Sequence, residues 1–292
     1  MSDMNRRALL RQSAALATAV VAGPYAARLR AKDASEAQMS FGLVTYMIAH
    51  DWDLPTLIAN CEKTDVLGAE LRTTHKHGVE PNLNAQQRAE VKKRFADSRV
   101  ALVGLGSSEE FDSPDPAILR KSIDKTKEFV KLAHDLGTSG VKVRPNNFHK
   151  DVPREKTIEQ IGKSLLELGK FAADYNQQIR LEVHGQCAEL PTIKSIMDIA
   201  DHPNVAICWN SNVTDLSGDG FEKNFYLVRN RFGNTCHVRR LDSKDYPFPQ
   251  LIGLLKKTNY TGWVLLEDGK PAEDRLAELV VQKKLFQQYR EL

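Results

Sequence analysis

Ile179-Arg180-Leu181-Glu182-Val183-His184-Gly185 is an apolar run that turns polar at its end, and three later stretches do the same. Val205-Ala206-Ile207-Cys208-Trp209-Asn210-Ser211-Asn212 ends in amides, Cys236-His237-Val238-Arg239 carries an imidazole and a guanidinium, and Trp263-Val264-Leu265-Leu266-Glu267-Asp268-Gly269 ends in carboxylates. Each has the length and apolar content of a buried strand. In an α/β barrel the carboxyl ends of the strands converge on one mouth, and chemistry is placed there. Two carboxylates, an imidazole and an amide brought to one point would form a ligand set for a divalent cation.

Upstream of these runs the same alternation continues. Strands are expected at Phe41–Tyr46, Gly68–Arg72, Val100–Leu105 and Gly140–Arg144, followed by Ile179–Val183, Val205–Trp209, Thr235–Val238 and Trp263–Glu267. Between them lie amphipathic stretches. Thr157–Tyr175 carries Ile158, Ile161, Leu165, Leu166, Leu168 and Phe171 at helical spacing, and Leu190–Ala200, Pro249–Lys257 and Glu273–Tyr289 read as further helices. Eight strand–helix units imply a parallel sheet closed on itself, a single (β/α)8 barrel over residues 41–292. No Pro/Gly/Ser-rich linker interrupts that span, so it reads as one domain.

The chain has 292 residues and a net charge of +3, but the charge is uneven. Arg6, Arg7, Arg11, Arg28 and Arg30 against Asp3 give the first thirty residues +4, which leaves the remainder at −1. A near-neutral body argues against a nucleic-acid partner. Arg6 and Arg7 precede an apolar stretch, Ala14–Ala22, and small residues at Ala26 and Ala27. Basic, apolar and small in that order is the build of a secretory signal. The paired arginines resemble a twin-arginine signal, with residues 1–30 as the leader and 31–40 as a linker. The implied partner is the Tat export machinery and the implied location periplasmic or secreted, or membrane-anchored if the leader is not cleaved. A basic amphipathic helix is the other reading. Cys61, Cys187, Cys208 and Cys236 form no Cys-x-x-Cys pattern, and Cys208 reads as a core residue.

The ordered set Leu181-Glu182-Val183-His184-Gly185, Cys208-Trp209-Asn210, His237-Val238-Arg239 and Gly262-Trp263 to Glu267 resembles the xylose isomerase-like TIM barrel superfamily, in its sugar phosphate isomerase/epimerase branch. Gly42–Tyr46 and Gly68–Arg72 extend the resemblance to the whole of Phe41–Leu292. It implies a divalent metal (Mn, Mg, Co or Zn) held by Glu182, Asn210, His237 and Glu267. Asn210 departs from the family pattern, which usually has Asp there. An amide oxygen still binds a hard cation but brings no charge. A further family histidine falls on Val213. A metal-free site built from the same residues stays open.

The implied reaction removes a proton next to a carbonyl, with Glu182 and Glu267 as the bases and the ion stabilising an enediolate. His184 shares the face of Glu182 and is a substrate contact or proton carrier, or else packs in the core. The same alternation pairs Glu70 with Arg72, Lys142 with Arg144 and Asn210 with Asn212. With Arg239 these are candidate substrate-binding residues. An internal ion network is the alternative for Glu70, Arg72, Lys142 and Arg144. Thr73–His77 is expected to be an exposed polar loop, Gly104-Leu105-Gly106-Ser107-Ser108 a strand-to-loop turn, and Trp52 and Trp209 core residues.

These features predict an exported sugar isomerase/epimerase acting on a small sugar or sugar derivative. Two alternatives use the same barrel: a lyase or hydrolase of keto-glycosides, and a non-catalytic carbohydrate-binding protein with a degenerate metal site. The oligomeric state is not fixed by sequence, and a homo-oligomer stays open.

Overall fold

Eight parallel strands pair in chain order and close on themselves. They are β1 (Ser40–Val44), β2 (Gly68–Arg72), β3 (Ala101–Glu110), β4 (Gly140–Arg144), β5 (Gln178–Glu182), β6 (Val205–Asn210), β7 (Phe232–Val238) and β8 (Trp263–Leu266). The computed structural model describes residues 38–292, so the expected leader and the linker up to residue 37 lie outside the described residues. Ser40, expected in the linker, already pairs with Trp263 in the contact that closes the barrel.

The helices are α1 (Leu54–Thr64), α2 (Ala85–Ala96), α3 (Pro116–Leu136), α4 (Arg154–Ala173), α5 (Leu190–Ile199), α6 (Phe221–Val228), α7 (Phe248–Lys257) and α8 (Arg275–Glu291). Local chemistry sets their ends. The Asp53 carboxylate accepts from the Thr56 amide at 2.9 Å to start α1. Asn84 and Gln87 cap α2 reciprocally, and Gly137, at φ 78°, ends α3. The apolar stripe of α4, including Ile161, Leu165, Leu168 and Ala172, is buried.

Alternation along the strands divides two environments. Val141, Val143, Ile179, Leu181, Ile207, Trp209 and Val238 join the large apolar layer between sheet and helices. Trp209 sits with Phe221, Phe225 and Phe232 at centroid separations of 6.2, 5.7 and 5.4 Å, as a core residue. Trp52 is also buried, beneath the Arg275 guanidinium. Inside the barrel, Val44, Val103 and Leu265 form a small separate apolar cluster. Five inward side chains are charged or ionisable and fully enclosed: Glu70, Lys142, Arg180, Glu182 and His237 are each at most 2% exposed.

β3 runs five residues further than expected, through the stretch read as a turn. Gly104 and Gly106 lie within it because the inward space is taken. A Cβ on Gly104 would meet Arg180 Nη1 at 2.9 Å, and one on Gly106 would meet Glu70 Oε1 at 3.2 Å. Thr73–His77 also departs from expectation, because His77 is buried, bonded to Arg72 O at 2.8 Å and accepting from the Val79 amide at 3.0 Å.

Asp215, in the short helical turn after β6, is fully buried and accepts from the Tyr246 hydroxyl at 2.6 Å, while its Oδ1 has no partner. Burial pushes its carboxyl up to about 7, against the opposing Tyr246 hydrogen bond. The folded state therefore holds a proton that the unfolded chain releases near the ordinary carboxylate value. The stability this contributes is greatest at low pH and is lost as pH rises through about 7. Between pH 5.5 and 8.5, urea unfolding should show the wild type losing about 2 kcal/mol more than Asp215→Asn. Parallel pH profiles for the two proteins would contradict this.

Candidate active site

The strand ends deliver Glu182, His237 and Glu267 to one place, each offering a ligand atom within 4.8 Å of the others. β5 supplies Glu182, β7 supplies His237, and Glu267 follows β8 directly, its amide held by Val238 O at 2.8 Å. Asn210, the last residue of β6, joins them by donating from Nδ2 to Glu182 Oε1 at 3.2 Å. The four expected ligand residues are therefore neighbours.

His237 is the centre of the cluster. Its Nε2 lies 3.1 Å from Glu70 Oε1, and its Nδ1 lies 3.4 Å from Glu182 Oε1 and 3.5 Å from Glu267 Oε2. Nδ1 is buried and has no hydrogen-bond partner. When Nε2 donates to Glu70, Nδ1 turns a lone pair toward two carboxylate oxygens. That arrangement is repulsive until a proton or a cation lies between them. Without a metal, burial works against the imidazolium, but the Cys208 sulfur and then the carboxylates Glu70 and Glu267 outweigh it and hold the group well above its ordinary value. Two oxygens and an imidazole nitrogen turned toward one another, with a carboxylate fixing the ring from behind, fit a divalent cation.

Glu182 divides its two oxygens. Oε1 faces His237, and Oε2 accepts from Lys142 Nζ at 2.7 Å in a pair whose side chains are 3% and 2% exposed. Burial works to raise the Glu182 carboxyl, but Lys142 and then His237 reverse this and hold it well below the usual carboxylate range. For Lys142, burial opposes the charge, and Glu182, Glu267 and Glu70 more than restore it. Burial likewise opposes the charge on Glu70, and His237, Lys142 and Arg180 keep it ionised.

Three expected substrate contacts thus take other places. Glu70 and Lys142 are enclosed, with their charged ends engaged by His237 and Glu182, so they act on the ligand side chains, as an internal ion network would. Asn212 donates from Nδ2 to Val183 O at 2.6 Å and caps the turn after β6, a structural position. Arg144 pairs with Glu110 at 2.6 Å and Arg239 with Asp245 at 2.7 Å, both partly exposed at the strand ends. Arg72 lies over the Tyr46 ring at 5.4 Å and makes no ion pair among the described residues.

His184 is half-buried, and its Nδ1 lies 2.8 Å from Asn146 Oδ1. Burial lowers its pKa against the pull of Glu182, which keeps the ring neutral. Asn146 itself escaped sequence reasoning. It adopts φ 72° and bridges to Gly185, and the only signal is an Asn after a strand, a residue that tolerates the left-handed region. Beside the ends of β7 and β8, a cavity of about 540 Å³ is lined by Arg239, Arg240, Asp242, Asp268 and Lys270. None of Glu182, Asn210, His237 and Glu267 lines it, and its volume lies within the size range of small-ligand pockets.

An added carboxylate should strengthen the hold on a cation. Asn210→Asp is expected to tighten Mn²⁺ binding about tenfold or more by titration calorimetry, on the order of 1.4 kcal/mol. Unchanged affinity would place Asn210 outside the ion's ligands.

The sequence profile described as the xylose isomerase-like TIM barrel matches residues 58–284. Among solved structures, the chain is similar to a 3-keto-D-glucoside 4-epimerase from E. coli. The TM-score is 0.73 and the identity 14%, over 86% of this chain and 100% of that one. A D-allulose 3-epimerase from Methylomonas sp. gives a TM-score of 0.72 at 16% identity, over 86% and 98% of the two chains. The IOLI protein with a zinc atom bound gives 0.71 at 16% identity, over 87% and 98%. At such identities the likeness speaks for the fold. No curated protein matches the chain in sequence.

Proposed function

Because the chain belongs to the xylose isomerase-like TIM barrel family, we propose that it is an exported, metal-dependent sugar isomerase or epimerase. The observation that carries this reading is the buried Nδ1 of His237, turned without a hydrogen-bond partner toward Glu182 and Glu267. Glu182, His237 and Glu267 would hold the ion, with Asn210 adding an amide oxygen after rotation of its side-chain amide. When bound, a divalent cation supplies Lewis-acid polarisation of the substrate carbonyl.

The protein's own groups divide the proton transfers unequally. Glu267, partly exposed at the mouth, accepts the proton from the carbon beside the carbonyl. Glu182 serves the opposite face. Lys142 holds it ionised, so Glu182 takes a proton from the substrate when the reaction runs in reverse, and gives one only after such a transfer has protonated it. His184, neutral and oriented by Asn146, offers its remaining ring nitrogen to a substrate hydroxyl. Arg72 and Arg239 at the strand ends, together with the cavity beside β7 and β8, orient the remainder of the sugar.

Elimination from a keto-glycoside is the second reading. It begins with the same proton abstraction and then expels a group from the next carbon. The likeness to a 3-keto-D-glucoside 4-epimerase and the twin-arginine-like leader, which implies the Tat machinery and a periplasmic or secreted location, both favour such a substrate.

Incubation of Mn²⁺-loaded protein in deuterated water with D-allulose and with a 3-keto-glucoside separates the readings. Deuterium in recovered sugar with the aglycone retained is the expected result, and release of the aglycone would favour elimination. Glu267→Gln and Glu182→Gln should each lower turnover by about 10²–10⁴-fold. Wild-type protein that exchanges no deuterium into either sugar, or a Glu267→Gln protein with near-normal turnover, would defeat the assignment.

A further inference from the structure

We infer that Lys142 is a fixed internal cation that sets the charge of the ion site and keeps its affinity for a divalent metal low. The inference rests on the reading of Glu182, His237 and Glu267 as ion ligands. The geometry behind it is specific. Lys142 extends inward from β4, is 2% exposed, and places Nζ 2.7 Å from Glu182 Oε2. Glu182 Oε1 is left facing His237 Nδ1 at 3.4 Å. The ammonium therefore does not block the ion's position. It occupies the far oxygen of a ligand and leaves the near one available.

The consequence is electrostatic. Glu182 and Glu267 bring two negative charges to the ligand set, Lys142 offsets one of them, and Asn210 contributes none. Among enclosed groups, a like charge one carboxylate away from the cation is screened far less than at a surface. A dication bound there keeps surplus positive charge, so it is held more weakly and is a stronger electrophile toward an oxygen that becomes anionic during reaction. Glu70, behind His237, and Arg180, beside Glu70, oppose each other and leave this balance nearly unchanged.

Mn²⁺ affinity is measured by titration calorimetry on wild-type protein, Lys142→Met and Lys142→Arg. Lys142→Met should bind Mn²⁺ at least tenfold more tightly, while Lys142→Arg, which keeps the charge, should stay within about threefold of wild type. Mn²⁺ should also raise the melting temperature of Lys142→Met more than that of wild type, because Glu182, having lost Lys142, gains more from the ion's charge. If Lys142→Met does not fold, Lys142→Gln supplies the same comparison with a neutral donor. Equal or weaker binding after removal of the charge overturns the inference alone, as does tight binding by Lys142→Arg. Binding by no variant overturns it together with the reading on which it rests. Binding by Lys142→Met but not by wild type supports it, while removing metal dependence from the natural protein.

Discussion

The molecule is organised around an imidazole enclosed by three carboxylates, Glu70, Glu182 and Glu267. His237, itself fully buried, is anchored through Nε2 to Glu70 and presents Nδ1 to Glu182 and Glu267. Each carboxylate is expensive to bury alone, and breaking such a set by removing one partner costs several kcal/mol, about 3–5. The answer is a chain of compensations across the barrel: Arg180 and His237 for Glu70, Lys142 for Glu182, and an open claim on Nδ1. A proton or a divalent ion can meet that claim.

The barrel interior makes room for these charges. Val44, Val103 and Leu265 form a small apolar cluster within it, and Gly104 and Gly106 withhold side chains where Arg180 and Glu70 need room. The apolar layer outside the sheet, from Trp209 with its three phenylalanines to the buried stripe of α4, carries the burial that the polar interior forgoes. The strands thus hold the ligand residues rigidly, while the connections that follow them shape the mouth.

Period-two alternation made most of this legible in the sequence. Gly68–Arg72 and Gly140–Arg144 are strands with the expected bounds, and the four metal-ligand candidates fall together because each lies in the last two residues of a strand or directly follows one. Alternation says which residues face inward but not at what height or toward which neighbour. Glu70 and Lys142 were therefore recognisable as interior groups, yet their engagement with His237 and Glu182 needed three dimensions. The glycines of β3 misled for a related reason. Gly-Leu-Gly-Ser-Ser has low strand propensity, and only the bulk of Glu70 and Arg180 across the barrel explains why the strand continues through it. His77 reads as surface because its loop is polar, while its burial depends on backbone partners invisible to composition.

The central claim, that Nδ1 of His237 and the facing oxygens of Glu182 and Glu267 share one cation, is tested most directly by crystals grown with Mn²⁺ and an anomalous difference map. The account predicts one strong peak within bonding distance of His237 Nδ1, Glu182 Oε1 and a Glu267 oxygen. A map without that peak at saturating Mn²⁺, with His237 Nδ1 in direct hydrogen bonds to the two carboxylates, would contradict it.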